Sequence, residues 1–309
     1  MPSPDPTRRA RDIWAADVPG FGNQSFFAGG RADVVHAGDG DGVLFANLRF
    51  RSFDGTTGRE IASIRTGTTV RCLTHFDDGD LLVATDHRLH RLDAETLSER
   101  QRWERQIPHY VDSMARYKMT CVVANWQGPS AALIDLVAGT VRRRSWVPLP
   151  RVVEAPEGPY LLASGIGTVA RIEIDSGRIH PLFTAASARD ATVVSETLWI
   201  IEGRPEYGAK DPGEGRSLRA YEMGAGVERL RLALPASANR LQFGGGSLWA
   251  WGRSGLAEIS VSDPMVVGFW PAPHGHLWVA VDPNRRRALC VEDSFARPAV
   301  RITCHALEG

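Results

Sequence analysis

The sequence predicts an all-β chain built from a repeated four-strand unit, and three observations carry that prediction. Short alternating or β-rich runs recur along the chain, almost no window sustains a 3.6-residue period, and Gly, Asp, Asn and Pro bound the runs. The 31 glycines and 19 prolines are spread over all 309 residues, beside 43% hydrophobic and 23% charged residues. That composition suits a packed core cut by many turns and excludes disordered and collagen-like chains.

The repeat reads as a strand, a turn, a second strand, an Asp/Gly turn and a third strand, with one more apolar run before each copy. Its clearest copy covers residues 80–86, 88–97 and 98–103; others start at Gly42, Thr120, Pro159, Thr197 and Ser247. A period of about 40 to 45 residues with four strands per unit is that of a β-propeller, because one small sheet buries both faces only when neighbours stack around a ring. Six complete units fit between Arg31 and Pro271, and the tail adds three strands over 276–281, 287–292 and 300–306. The missing strand is expected at residues 12–18. The expectation is therefore a seven-bladed β-propeller with four antiparallel strands per blade, its ring closed by the N-terminal strand joining the C-terminal blade. A single domain over 1–309 follows, with residues 1–11 outside its ordered part.

The 36 basic and 36 acidic residues cancel, so no global field favours nucleic acid or an anionic membrane, and neither is expected as a partner. The basic N-terminus lacks an apolar h-region, no apolar run approaches the roughly 20 residues of a spanning helix, and mean hydropathy is -0.20. A cytoplasmic monomer is expected. Cys72, Cys121, Cys290 and Cys304 show no CxxC spacing, which argues against a zinc knuckle or redox pair and for buried free thiols. Cys290 and Cys304 can face each other in one hairpin.

With segments such as Leu82-Val-Ala-Thr-Asp86 and Leu92-Asp-Ala-Glu-Thr-Leu97 in view, the chain resembles the β-propeller superfamily of quinoprotein-like, YVTN-type and NHL-type repeats and streptogramin lyases. The resemblance implies the architecture and a site at the channel; lyase chemistry is implied only by the likeness to the streptogramin lyases. Glu157-Gly-Pro-Tyr160 and Glu292-Asp-Ser294 are similar to pieces of metal-dependent gluconolactonases, but the intervening pattern is missing and no metal ligand is assigned. The WD dipeptide ending is absent, as is the regular Trp-plus-Gly docking motif of quinoprotein dehydrogenases, so no PQQ is expected. Nucleotide and zinc motifs are also missing, which leaves a divalent metal open as a cofactor.

In a propeller the first strand of each blade lines the channel. Aligning the starts of these strands gives Arg31, Arg71, Tyr110, Arg151, Arg189, Arg240 and His276 at one equivalent position. Arginine cannot shed its proton, so a ring of such residues demands negative charge. Either Asp33, Asp86, Asp112, Glu154, Asp190 and Glu202 compensate it internally, or the arginines hold a bound anion through bidentate bonds. Antiparallel pairing places Tyr110 and Asp112 near Asn125 and Trp126, Arg189 near Glu202, and His276 near Glu292 and Asp293. His274 and His276, two apart, share one side of a strand, where a neighbouring carboxylate can orient an imidazole as a general base; His109 with Asp112 is a second such pair. Residues 203–216 form the longest insertion, suited to a lid or recognition element, and Phe26 and Phe27 border the same face. Gly165-Ile-Gly167, Gly244-Gly-Gly246, Arg142-Arg-Arg144 and Arg285-Arg-Arg287 read as turn or outer-strand residues, not as phosphate loops or a nucleic-acid stripe.

Two functions follow. The first is an enzyme of lyase, isomerase or hydrolase type, in specialised metabolism, acting on a small anionic molecule. Arg31, Arg71, Arg151, Arg189, Arg240, Asn125, Trp126 and Glu202 would bind it, and His276, His274, His109, Tyr110, Asp112 and Glu292 would move protons. The alternative is a non-enzymatic interaction propeller that grips an acidic peptide or partner.

Overall fold

Burial separates the strands into two kinds. Asp80–Thr85 is buried at every position, as a strand covered on both faces must be, whereas Glu60–Arg65 and Glu228–Ala233 expose alternate side chains. This computed structural model describes residues 7–19, 25–28, 34–38, 48–75, 79–104, 106–125, 130–146, 150–155, 158–163, 167–203, 215–274, 276–292 and 299–308.

Among the described residues the regular elements are strands. Strand β1 (Ala10–Pro19) stands apart in sequence from the sheet it joins. Six antiparallel sheets then take four consecutive strands each, in sequence order. They are β2 (Ser25–Ala28), β3 (Val34–Gly38), β4 (Arg49–Asp54) and β5 (Glu60–Arg65); β6 (Val70–His75), β7 (Asp80–Thr85), β8 (Leu89–Asp93) and β9 (Glu99–Trp103); and β10 (Val111–Tyr117), β11 (Thr120–Asn125), β12 (Ser130–Asp135) and β13 (Val141–Ser145). The others are β14 (Pro150–Val153), β15 (Tyr160–Ala163), β16 (Thr168–Ile172) and β17 (Ile179–Thr184); β18 (Ala188–Val194), β19 (Thr197–Glu202), β20 (Ser217–Glu222) and β21 (Glu228–Ala233); and β22 (Arg240–Gly244), β23 (Ser247–Trp251), β24 (Gly255–Ser260) and β25 (Val266–Pro271). A composite sheet has the order β1-β28-β27-β26, from β26 (His276–Asp282), β27 (Arg287–Glu292) and β28 (Ala299–Leu307).

The blade count is corrected accordingly: six sheets, not seven, are complete repeats of four consecutive strands. The last three strands make no repeat of their own, and β1 supplies their fourth by pairing with β28 from Ala10↔Leu307 to Pro19↔Ala299. That strand is longer than the expected 12–18 and takes in Ala10 and Arg11. Ahead of it, Thr7 bridges Phe269, Arg8 N–H donates to Phe269 O at 2.7 Å and the Trp270 indole donates to Arg9 O at 3.1 Å. Residues 7–9 thus cover the apolar edge of β25, which would otherwise be open to another chain.

The sheets pack face to face. One core cluster joins Leu82, Leu89 and Trp103 to Val111, Val123 and Ile134; another joins Trp199, Ile201 and Leu218 to Leu241, Leu248 and Ile259. Strand β10 lies against β6 and β14, β18 against β14 and β22, and β2 against β6 and β26, so the first strands gather along one line of contacts.

The Asp/Gly turns between third and fourth strands are held locally. Asp54, Asp93 and Asp135 each accept two backbone N–H bonds, from Thr56 and Thr57, Glu95 and Thr96, and Val137 and Ala138. These bonds hold all three carboxyls below the usual range. Onto the turns dock aromatic side chains of the preceding sheet: the indoles of Trp14, Trp103 and Trp146 donate to Gly55 O at 2.8 Å, Gly139 O at 3.2 Å and Gly177 O at 3.2 Å. The sequence reading did not foresee these three indole-to-turn contacts. Cys290 and Cys304 do not face each other either: Cys304 sits opposite Leu289 and Cys290 opposite Thr303, which puts the two thiols on opposite faces of one sheet.

Candidate functional site

The starts of the first strands carry β-bulges. Register shifts at Val70/Cys72, Val111/Ser113 and Ala188/Asp190 leave Arg71, Asp112 and Arg189 as the extra residues, and a bulge re-aims the side chain it carries. The residue after each bulge reaches into the next sheet. The Cys72 thiol lies 3.9 Å from Val111 O, Ser113 Oγ accepts from Val152 N at 2.7 Å and donates to Val152 O at 3.0 Å, and Asp190 Oδ2 accepts from Leu241 N at 2.8 Å.

Two arginines of the expected ring are compensated within the protein. Arg71 Nε donates to Asp86 Oδ1 at 2.5 Å, and Arg151 Nη2 donates to Asp190 Oδ1 at 2.6 Å. Asp190, 7% exposed, thereby joins β14, β18 and β22. Arg189 and Arg240 differ. The Arg189 Nε is buried with no hydrogen-bond partner among the described residues, and Arg240 stands exposed at the start of β22. Glu202 does not serve Arg189: it lies opposite Ala188 and binds Arg219 and, at 3.1 Å, Arg231 Nη2. Burial works to raise the Glu202 carboxyl, yet these two guanidinium groups hold it below its usual range. The bulge is the reason, because it takes Arg189 out of the pairing that an unbroken ladder would impose.

Around Arg71 lies a group that the sequence reading assembled only in part. The Tyr110 ring lies under the Arg71 guanidinium, 5.4 Å from its centroid. Tyr110 takes φ 54°, uncommon for a non-glycine residue, with its N–H donating to Asp86 O at 2.9 Å, and its side chain is 40% exposed. His109 packs edge-on against His87 at 4.5 Å, and His87 stands 6.2 Å from Tyr110. His87 was missed; its one signal was its place beside Asp86, at the end of the strand that pairs with Arg71's strand. Asn125 is buried, opposite Val111.

At the composite sheet His276 sits opposite Glu292, in the register the pairing argument expects. Its Nδ1 contacts His274 O at 3.0 Å, while His274 lies exposed in the preceding turn. Arg31 does not start a first strand, because that strand of its sheet is β2 (Ser25–Ala28) and the next is β3 (Val34–Gly38); Arg31, Asp33, Trp126, Glu157, Asp293 and most of the 203–216 insertion lie outside the described residues, as does the side chain of Asp112. On the same sheet Cys290 Sγ, His305 Nε2, His305 Nδ1 and Asp12 Oδ1 line up with gaps of 2.9 Å and 2.9 Å. Burial, and next the Asp12 charge, push the Cys290 thiol up to about 12, so this row holds a protonated thiol and is no activated nucleophile. Among the described residues no three His, Cys, Asp or Glu side chains gather as a metal site.

No known family profile matches the chain, and no curated protein matches it in sequence. Solved structures do. The WD40 domain of Neurospora crassa Pan2 aligns with a TM-score of 0.70 at 9% identity, over 97% of this chain and 96% of that one. The chain is a β-propeller. BamB from Moraxella catarrhalis aligns at 0.55 and 12% identity over 94% and 85% of the two chains, and the computationally designed Ika8 protein at 0.58 and 11% over 91% and 84%. At such identities the likeness is one of fold, so the chemistry of this propeller rests on its own residues.

Proposed function

We propose that this is an interaction propeller whose channel mouth receives an acidic segment of a protein partner, with the composite sheet closing the ring that presents it. The carrying observation is the exposed Tyr110, fixed in a left-handed backbone by Asp86, backed by Arg71 and flanked by His87 and His109. Tyr and Arg at the centre of a face are the residue types that dominate protein interfaces. Arg240, and Arg189 whose Nε has no hydrogen-bond partner among the described residues, supply the positive charge that draws in carboxylates. The likeness to a WD40 domain and to BamB supports this reading over an enzymatic one. A small-anion site across the arginine ring is disfavoured, because Arg71 and Arg151 already spend their charge on Asp86 and Asp190.

A fluorescent glutamate-rich decapeptide tests the proposal by anisotropy. Binding should weaken as salt rises, and drop about tenfold in Tyr110→Ala and again in Arg240→Glu, the loss of one hot-spot contact being worth roughly 1 to 2 kcal/mol. Equal binding in wild type and both variants, or competition by inorganic phosphate alone, would sink it.

A further inference from the structure

His36 on β3 and His75 at the end of β6 meet between two neighbouring sheets, away from the mouth residues discussed above. Their ring centroids are 5.8 Å apart, and the Nε2 atom of each is buried with no hydrogen-bond partner among the described residues. A buried unpartnered nitrogen calls for an explanation, and one on each of two neighbouring rings points to a shared occupant.

The rings are built as ligands are. His36 is fully buried, stacked on Phe50 at 5.3 Å, and its Nδ1 is held by Ser52 Oγ at 2.9 Å. In the tautomer whose Nδ1–H donates to Ser52 Oγ, the Nε2 lone pair is free, and such an outer hydrogen bond is what orients metal-binding imidazoles. An imidazole nitrogen lies roughly 1 Å from its ring centroid and a metal–nitrogen bond is about 2 Å, so two rings sharing an ion stand about 6 Å apart. A bridging water, about 2.9 Å from each nitrogen, would set them farther apart.

We propose that His36 and His75 form a two-nitrogen site for a monovalent d10 metal ion, Cu+ in particular. The charge balance selects the monovalent ion. The carboxylate that acts on His75 is Asp282, and it is already held by Arg285 Nη1 at 3.1 Å and Arg287 Nη2 at 3.2 Å. Two neutral donors and a spoken-for carboxylate leave a buried divalent ion undercompensated, while a d10 monovalent ion takes two imidazoles in a line. The site is independent of the proposed partner binding.

The four cysteine thiols, none in a disulfide, also attract Cu+, so total copper does not decide the matter. Anaerobic titration with Cu+ should move the 15N resonances of both imidazoles in the wild-type protein, with saturation at one ion, and X-ray absorption should show a nitrogen-only, two-coordinate copper. His36→Gln and His75→Gln should each abolish that nitrogen-bound copper. Unmoved imidazole resonances in the wild type, copper seen only on sulfur, or equal nitrogen-bound copper in either variant would overturn the proposal. The wild-type spectra decide even where a variant fails to fold.

Discussion

Gly58 shows how a single residue sets the spacing between sheets. It takes φ +71°, and a Cβ built there would lie 2.5 Å from the Trp14 ring that docks on its turn. Gly58→Ala therefore meets backbone strain and overpacking together, and urea unfolding should show a loss of about 2 kcal/mol. Gly224→Ala, where an added Cβ meets nothing within 4 Å, should leave the midpoint nearly unchanged. A second residue gives a pH dependence. Burial lowers the His90 imidazole, outweighing Glu99 Oε2, which raises it from 2.6 Å away; Arg88 and Arg102 also lower it. A group whose folded value is lowered binds its proton more readily when unfolded. Its stability is thus full above the ordinary value of about 6.5 and is lost as pH falls through the lowered one. The fall in melting temperature from pH 8 to pH 5 should be smaller in His90→Gln than in wild type; equal falls would clear His90 of the effect. At this scale the sequence was half legible. Asp54, Asp93 and Asp135 announce their turns because an Asx turn is local in sequence. The docking of Trp103 and Trp146 was hidden because each follows its own turn at a different spacing and lands on the turn of the next sheet. Arg189 was paired wrongly because a bulge leaves no mark in an apolar alternation.

At the scale of elements, β1 is the strand to remove. It pairs along the whole of β28, carries Trp14 onto Gly55 O, and leads in from residues that cover β25. Deleting residues 1–19 uncovers two edges at once, β28 and β25, each a row of unpaired backbone groups. The truncated protein should melt at a lower temperature and run as dimers or larger species in light-scattering chromatography, where the full chain elutes as a smaller particle. A truncated chain that stays monomeric and equally stable would show that the pairing contributes little. This strand was readable from sequence because three terminal strands lacked a fourth and the β-rich run at 12–18 stood ready to supply it. Its length was not. The basic residues before Asp12 look solvated, and only the structure shows Arg8 reaching Val267 O and lying 5.9 Å from the Trp270 ring.

For the whole molecule the question is whether stacked sheets unfold together, since repeat architectures hold mainly through nearest-neighbour interfaces. Asp190 is the residue placed to answer it. Its carboxylate takes Arg151 from one neighbouring sheet and the Leu241 N–H from the other, so one buried group couples three sheets. Removing it takes a carboxylate from a guanidinium and an acceptor from a backbone donor in the same step. Asp190→Ala should cost about 3 to 5 kcal/mol, the range for breaking one partner of a buried pair. If the coupling spreads beyond the pair, the urea slope should fall as well, because sheets that lose their common tie begin to unfold separately. Arg151→Met in the Asp190→Ala background separates the two contributions. Recovery of about 1 to 3 kcal/mol would assign that share to the guanidinium that has lost its carboxylate, and the unrecovered remainder, with the lowered slope, to the link with Leu241. Strictly additive losses and an unchanged slope would instead mean that hydrophobic packing between sheets holds the molecule together and that the laced first strands only set their register.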